Sequence, residues 1–214
     1  MPLSDTLSQE AQSLWDAARA LARTAPQGGR PLPLLLFFTD PTRTPRPWET
    51  AARLPAGAGV VYRHFGATDR LETGRRLREA THRAGVRLLV GLDAELAERV
   101  GADGVHLPER ALSAAYGLSG RRPDWLLTGA AHSREVVRAA RDVHALVLSP
   151  VFPAGGASAV KRALGVEGFS ALAAMAPCPV YALGGITATN ASSLAASGAC
   201  GLAGVEAIQT AFAG

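Results

Sequence analysis

The chain has 214 residues, 48% of them hydrophobic and 19% charged, and this composition excludes a disordered or low-complexity protein. Arginines spread along the chain and a single lysine, Lys161, give a formal net charge of +4. No block of basic residues interleaved with aromatic ones indicates nucleic-acid binding, and no apolar run has the about 18 residues of a membrane span. Residues 1–5 lack the features of a signal peptide, so we expect a cytoplasmic protein that binds neither nucleic acid nor membrane.

The first predicted element is a helix from Ser4 to Ala25, in which apolar residues recur every three or four positions. Ser4 or Asp5 is the expected cap, and the sequence PQGG at residues 26–29 ends the helix. We predict two parts for the chain: an N-terminal helical extension, residues 1–30, and one larger unit, residues 31–214.

Short apolar runs then alternate with helical stretches rich in Ala and Arg. Because the runs are apolar on both faces, they are typical of buried parallel strands covered by helices. The predicted strands are Leu34–Phe38, Gly59–Tyr62, Val86–Val90, Gly104–Leu107, Trp125–Leu127, Ala145–Leu148, Val180–Leu183 and Gly201–Val205. The predicted helices between them include Asp69–Ala84, Ser133–Arg141 and Thr187–Ser197. A doubly wound open sheet also explains the alternation, but eight evenly spaced units favour an α/β fold with a single (β/α)8 TIM barrel and an extra N-terminal helix.

Glycines follow the last two predicted strands. Gly184 and Gly185 end the seventh run, and Gly204 precedes Val205 and Glu206 at the end of the eighth. In a barrel these two loops often form a phosphate site, since glycine lets a ligand approach the backbone. The alternative is that the glycines only permit tight turns, and the carboxylate of Glu206 argues against an anion beside it.

Five segments in succession resemble the thiamine phosphate synthase/TenI family: Ala102–Leu107 (ADGVHL), Ala131–Ser133 (AHS), Ser149–Pro153 (SPVFP), Ala182–Ile186 (ALGGI) and Gly198–Ala203 (GACGLA). The resemblance extends from about Leu34 to Ile208. It implies a (β/α)8 barrel that takes a thiazole phosphate. Synthases of this family join it to an aminopyrimidine diphosphate with magnesium, whereas TenI relatives aromatise the thiazole by tautomerisation.

The resemblance is weak where the synthases hold diphosphate and magnesium. Of their Gln-x-Arg-x-Lys only Arg63 remains, and their two acidic magnesium-ligand positions correspond to Leu92 and Ala111, with Asp93 one place too late. Magnesium needs oxygen ligands that Leu92 and Ala111 lack, so we predict no metal and no cofactor. The substrate or phosphate contacts that the resemblance and the strand ends imply are Arg63, Ser149, Lys161, Gly184, Gly185, Val205 and Glu206.

His132 is the predicted catalytic residue. It follows the fifth strand, where the resemblance places the acid/base of the tautomerases, and an imidazole can accept and return a proton near pH 7. His106 lies within a strand and is expected to pack inside the barrel. We expect His64 at the rim, where Glu206 is predicted either to weaken phosphate binding or to pair with Arg63 or His64. Asp40 is expected to cap a turn, and Cys178 and Cys200 to be free thiols.

The sequence thus predicts an enzyme of thiamine biosynthesis that binds a thiazole phosphate and joins or isomerises it, with a degenerate magnesium and diphosphate half-site. The alternatives are a metal-free tautomerase and a catalytically inactive barrel that binds a thiamine precursor or a partner. A weaker third is a phosphate-sugar isomerase, for which Glu206 is the candidate carboxylate. A homo-oligomer is possible on this reading.

Overall fold

The computed structural model describes residues 7–25, 29–155 and 162–213. Eight parallel strands pair in sequence order, and β8 pairs with β1, so the sheet closes into a barrel and the predicted fold is confirmed. The strands are β1 Leu35–Phe38, β2 Gly59–Tyr62, β3 Arg87–Gly91, β4 Gly104–Leu107, β5 Leu126–Ala131, β6 Ala145–Leu148, β7 Val180–Leu183 and β8 Ala199–Gly204.

Helices surround the barrel and connect most of its strands. They are α1 Gln9–Thr24, α2 Pro47–Ala51, α3 Arg70–Ala84, α4 Ala94–Val100, α5 Ala114–Arg121, α6 Arg134–Ala139, α7 Gly165–Ala173 and α8 Glu206–Phe212. Short 3₁₀ turns occupy Glu109–Ala111 and Ala191–Leu194. None of the helices in the described part of the chain is long and apolar enough to cross a membrane.

Helix α1 belongs to the outer layer of the barrel. Its cap is Ser8, whose hydroxyl accepts a hydrogen bond from the Ala11 amide, whereas the predicted caps Ser4 and Asp5 lie outside the described residues. One face of the helix, with Leu14 and Leu21, is buried in the same core as the strands. The Ser8 hydroxyl also donates to the carbonyl oxygen of Ala211 in α8 at 2.8 Å. The extension therefore shares the barrel's core, and its status as a separate part remains a prediction.

The predicted helix Thr187–Ser197 is wrong, because the segment contains turns and the short 3₁₀ helix Ala191–Leu194 in place of an α-helix. The side chain of Asn190 accepts from the Thr187 amide and donates to the Gly185 carbonyl, which fixes the start of the segment as a turn. Helix α1 packs against β8 and this turn, so it covers the wall that the missing helix would have covered.

Side chains alternate along each strand between the helices and the barrel interior. In β1, for example, Leu35 and Phe37 join the core under the helices, while Leu36 and Phe38 belong to a second cluster inside the barrel. Val61 of β2 and Val147 of β6 also lie in this inner cluster. The residues two positions beyond them, Arg63 and Ser149, are thereby placed at the mouth of the barrel.

Candidate functional site

Two cavities open at the carboxyl ends of the strands, where barrels carry their active sites. They share Arg63, Ser149 and Leu183 in their walls. We call them the loop cavity, beside the loops after β7 and β8, and the histidine cavity, over β2 to β5. Arg63 and Ser149 were predicted as site residues, and the structure brings them together at the boundary between the two.

The loop cavity has a volume of about 500 Å³. Of the predicted contacts it brings together Arg63, Ser149, Gly184, Gly185, Val205 and Glu206. Arg43 adds a second cation to its wall, and Glu10 and Leu14 show that α1 reaches it as well. Lys161, the remaining predicted contact, lies outside the described residues.

The two glycines after β7 are required by close packing. Both have positive φ, 99° at Gly184 and 65° at Gly185. A Cβ at Gly184 would lie 2.8 Å from Cα of Pro150, and one at Gly185 would lie 2.4 Å from the carbonyl oxygen of Pro153. The loop after β6 therefore rests directly on this turn, which gives the glycines a structural reason independent of any phosphate.

Glu206 is exposed in the first turn of α8 and forms no ion pair with Arg63 or His64 within the part of the chain that the structure describes. The predicted pairing is therefore wrong. Arg63 Nε instead donates to the carbonyl oxygen of Thr39 at 2.8 Å, and His64 Nε2 lies 3.3 Å from Oδ2 of Asp93. The other part of the prediction, that Glu206 weakens phosphate binding, stays a prediction.

The histidine cavity has a volume of about 660 Å³, and His132 stands in its wall. The His132 side chain is exposed to this space and not sealed beneath its neighbours. Two contacts fix the residue: its backbone amide donates to Oε2 of Glu109 at 2.6 Å, and its Nδ1 lies 3.0 Å from the carbonyl oxygen of Ser149. Because a carbonyl oxygen can only accept, Nδ1 carries the proton of the neutral ring and Nε2 keeps its lone pair.

His106 forms part of the same wall but is buried, as its place within β4 predicted. Its Nδ1 lies 2.9 Å from the Thr128 hydroxyl, and its ring meets Phe38 edge-on at 5.0 Å between centroids. Burial, reinforced by the nearby charge of Arg63, lowers the pKa of His106 to about 3. The ring is therefore a neutral hydrogen-bonding group at physiological pH.

Arg63 is the charged group that both cavities share. Its guanidinium carbon lies 5.4 Å from the centre of the Phe38 ring and 5.3 Å from that of Phe65. Burial lowers the pKa of Arg63 to about 10, which leaves it charged at neutral pH. Its Nη2 is buried and has no hydrogen-bond partner among the described residues.

The residues at this mouth do not fit a magnesium ion. The positions that the resemblance implies as ligands hold Leu92 and Ala111, which have no side-chain oxygen. Two carboxylates of these loops already have partners: Asp93 accepts from the Leu96 amide and lies 3.3 Å from His64, and Glu109 accepts from the His132 amide. The described ranges contain no group of three or more His, Cys, Asp or Glu side chains placed to hold a metal.

Predictions were also made for three residues that line neither of these two cavities, Asp40, Cys178 and Cys200. Asp40 accepts hydrogen bonds from the amides of Thr42 and Arg43, so its predicted role as a turn cap is confirmed. Cys178 and Cys200 are free, as predicted, and burial raises the pKa of Cys200 to about 12.

The family model "Thiamine monophosphate synthase" matches residues 37–208. The chain belongs to the thiamine monophosphate synthase family. It is 34% identical over 140 residues to a putative thiamine-phosphate synthase of Geobacter sulfurreducens, covering 64% of this chain and 66% of that one. It is 34% identical over 164 residues to the thiamine-phosphate synthase of Chloroflexus aurantiacus, covering 73% and 74%. The thiamine phosphate pyrophosphorylase from Pyrococcus furiosus has the same fold, with a TM-score of 0.67, 24% identity and coverage of 83% and 91%.

Three residues of the site in this member of the thiamine monophosphate synthase family were not predicted from the sequence. One is Glu109, whose carboxylate accepts a hydrogen bond from the His132 amide. The other two are Phe65 and Leu92, which add apolar surface to the histidine cavity; the sequence had indicated Leu92 only as a position without a metal ligand. Their positions after β2 and β3 were the available signal, since barrels build their sites from such loops.

Proposed function

We propose that the protein binds a thiazole phosphate and moves a proton on it, with His132 as the proton-transfer residue. The observation that supports this most directly is the contact between His132 Nδ1 and the Ser149 carbonyl at 3.0 Å. It leaves the Nε2 lone pair as the base, on a ring that stands in the wall of an open cavity. The proton taken from one position of the heterocycle returns at another, so no oxidant or co-reactant is needed.

The phosphate end of this ligand is assigned to the loop cavity. Arg63 and Arg43 supply positive charge there, although Arg43 also pairs with Asp40 at 3.0 Å, and Gly184 and Gly185 form part of the wall. Arg63 and Ser149 belong to both cavities, so a ligand anchored in the loop cavity can extend past them towards His132. Glu10 and Glu206 oppose an anion in this cavity, and a monophosphate meets less of this repulsion than a diphosphate does.

The names of the relatives favour a second candidate, the synthase reaction with an aminopyrimidine diphosphate. That reaction uses magnesium in the family, and Leu92 and Ala111 give the ion no ligand. Calorimetry with thiazole phosphate and with aminopyrimidine diphosphate, each with and without magnesium, separates the two. Binding of thiazole phosphate alone supports our proposal, whereas magnesium-dependent binding of the diphosphate supports the synthase. Thiazole phosphate binding without turnover identifies an inactive barrel.

The role of His132 is tested with His132→Gln. Removing a general acid/base costs about 10²–10⁴-fold in rate, so turnover should fall by that factor while thiazole phosphate binding stays nearly intact. His82→Gln is the matched control, because His82 lies in the last turn of α3 and is exposed. A folded His132→Gln protein with full tautomerase or synthase activity would show that the histidine is structural.

A further inference from the structure

The side chain of Glu109 binds one group only within the described ranges. Glu109 begins the 3₁₀ turn after β4, and its Oε2 accepts a hydrogen bond from the backbone amide of His132 at 2.6 Å. It forms no ion pair with any described residue, although Arg110 is its neighbour in the chain. A carboxylate holds an amide more strongly than a neutral acceptor does, so the whole charge of Glu109 is directed at this one contact.

The backbone of His132 lies between two regular elements and belongs to neither. β5 ends at Ala131, and α6 begins at Arg134 with Ser133 as its cap. Neither the sheet nor the helix supplies a partner for the His132 amide, which donates to Glu109. Glu109 therefore fixes the peptide plane from which the His132 side chain extends.

The ring of His132 is held by a different loop, the one after β6. Its Nδ1 lies 3.0 Å from the carbonyl oxygen of Ser149, so the neutral ring carries its proton on Nδ1. A histidine free in water carries that proton mainly on Nε2, and the Ser149 contact reverses the preference, because the hydrogen bond of one ring nitrogen decides the tautomer. Only two rotatable bonds join the ring to the backbone. The contact with Ser149 therefore depends on where the backbone holds the Cα of His132.

Glu109 itself contributes to neither cavity wall. The histidine cavity is lined by its two chain neighbours, Pro108 and Arg110, and the loop cavity by none of the three. A ligand in either cavity thus meets His132 and not the carboxylate behind it. Any effect of Glu109 on the chemistry has to pass through His132.

We propose that Glu109 is a positioning residue for His132: its carboxylate holds the His132 amide so that the ring donates from Nδ1 to Ser149 and keeps Nε2 unprotonated as the base. The effect on rate rests on the proposed function, whereas the effect on the tautomer is observable without turnover. Three observations carry the inference: a carboxylate with a single described partner, an amide outside both regular elements, and a ring nitrogen bound to a carbonyl oxygen.

The tautomer is measured by long-range ¹H–¹⁵N NMR on the whole protein at about pH 8, above the ordinary histidine pKa, where protonated and unprotonated ring nitrogens have well-separated ¹⁵N shifts. The spectrum of His132→Gln identifies the His132 signals among those of the five histidines. Wild type should carry the proton on Nδ1. Glu109→Ala removes the acceptor and should move the proton to Nε2 in most molecules. Glu109→Gln keeps an acceptor oxygen at the same reach and should retain the proton on Nδ1.

Turnover gives the second readout. Glu109→Ala should lower the turnover of thiazole phosphate about 10²-fold, since a displacement of about 1 Å in a reacting group can cost that much. Its affinity for thiazole phosphate should stay nearly unchanged, because Glu109 lines neither cavity. Glu109→Gln should restore most of the rate. Glu167→Ala is the matched control: Glu167 is exposed in the first turn of α7 and lines neither cavity, so tautomer and rate should not change.

Glu109→Asp covers the case in which the alanine variant does not fold. It keeps the charge but shortens the side chain, so it should release the His132 amide and change the tautomer in the same way. A ring that keeps its proton on Nδ1 in whichever of these two variants folds would overturn the proposal, and so would a wild-type ring protonated on Nε2. A changed tautomer in a protein without turnover would count against the proposed function alone. An unchanged tautomer in an active protein would count against this inference alone.

Discussion

Single residues at the barrel mouth carry most of the proposed chemistry, and His132 shows how. Its place after β5 and its residue type were available from the sequence, and so was its role in the family it resembles. The two contacts that fix it, with Glu109 and with the Ser149 carbonyl, were not. They join loops after three different strands, and neither periodicity nor composition reports which loop atoms meet.

Glu206 is expected to weaken anion binding in the loop cavity. A carboxylate about 4 Å from an anion in water opposes it by about 1 kcal/mol, so Glu206→Ser should tighten binding of inorganic phosphate about fivefold. Isothermal titration calorimetry at low salt measures this. Glu95→Ser is the control, because Glu95 is likewise exposed in the first turn of a helix, α4, but lies outside this cavity. Unchanged or weaker binding in Glu206→Ser would show that the carboxylate does not repel the anion.

His106 is expected to make the protein sensitive to acid. The pKa of His106 falls from 6.5 to about 3 on folding. Below pH 6.5 the unfolded chain therefore binds a proton at His106 that the folded protein does not bind. Stability is therefore lost as the pH falls from 6.5 towards 3, by about 2–3 kcal/mol from this residue at pH 4.5. Urea unfolding at pH 7 and pH 4.5 should show a smaller loss in His106→Gln than in the wild type. Equal losses would mean that His106 does not drive the effect.

At the scale of elements, the sequence predicted the strands better than the connections. β2, β4, β6 and β7 have their predicted bounds, because a buried parallel strand is a short apolar run with little else in it. The prediction ended β5 at Leu127 because Thr128 and Gly129 interrupt the apolar pattern. The strand continues to Ala131, and the Thr128 hydroxyl bonds to His106. The segment Thr187–Ser197 has helical composition, but Asn190 and the packing of α1 make it a turn.

The turn after β7 is expected to tolerate no side chain at position 185. Gly185→Ala should destabilise the protein by roughly 1–3 kcal/mol more than Gly57→Ala, since overpacking adds about that much. Gly57 is the matched control because its φ is also positive, 89°, but nothing lies within 4 Å of an added Cβ. Thermal and urea unfolding compare the two variants. Equal destabilisation would show that the loop after β6 moves aside at little cost.

At the scale of the whole molecule, α1 completes the layer around the barrel. It packs on β8, where the connection from β7 supplies only a 3₁₀ turn. The sequence predicted this helix correctly as an element, but its partner is nearly 200 positions away, and a local pattern holds no information on that contact. The division of the chain at residue 30 has therefore to be judged by the stability of the barrel with and without this helix.

Leu14→Ala in α1 is expected to cost about 2–5 kcal/mol of unfolding free energy, as removal of a buried leucine side chain usually does. Leu14 is 2% exposed and belongs to the core that includes the strands. Leu92→Ala makes the same substitution at a residue that is 48% exposed and should cost far less. Urea denaturation measures both. If Leu14→Ala were as mild as Leu92→Ala, α1 would be an accessory to the barrel and not part of its core.

The wall shared by the two cavities has a thermodynamic consequence. Arg63, Ser149 and Leu183 border both, so a molecule that alters the position or hydration of these residues in one cavity changes the surroundings of a molecule in the other. Linkage requires the change in affinity to be the same factor in both directions. A molecule in one cavity that displaces or dehydrates the Arg63 guanidinium would therefore change the affinity of the other cavity for its own occupant, with the barrel itself unchanged.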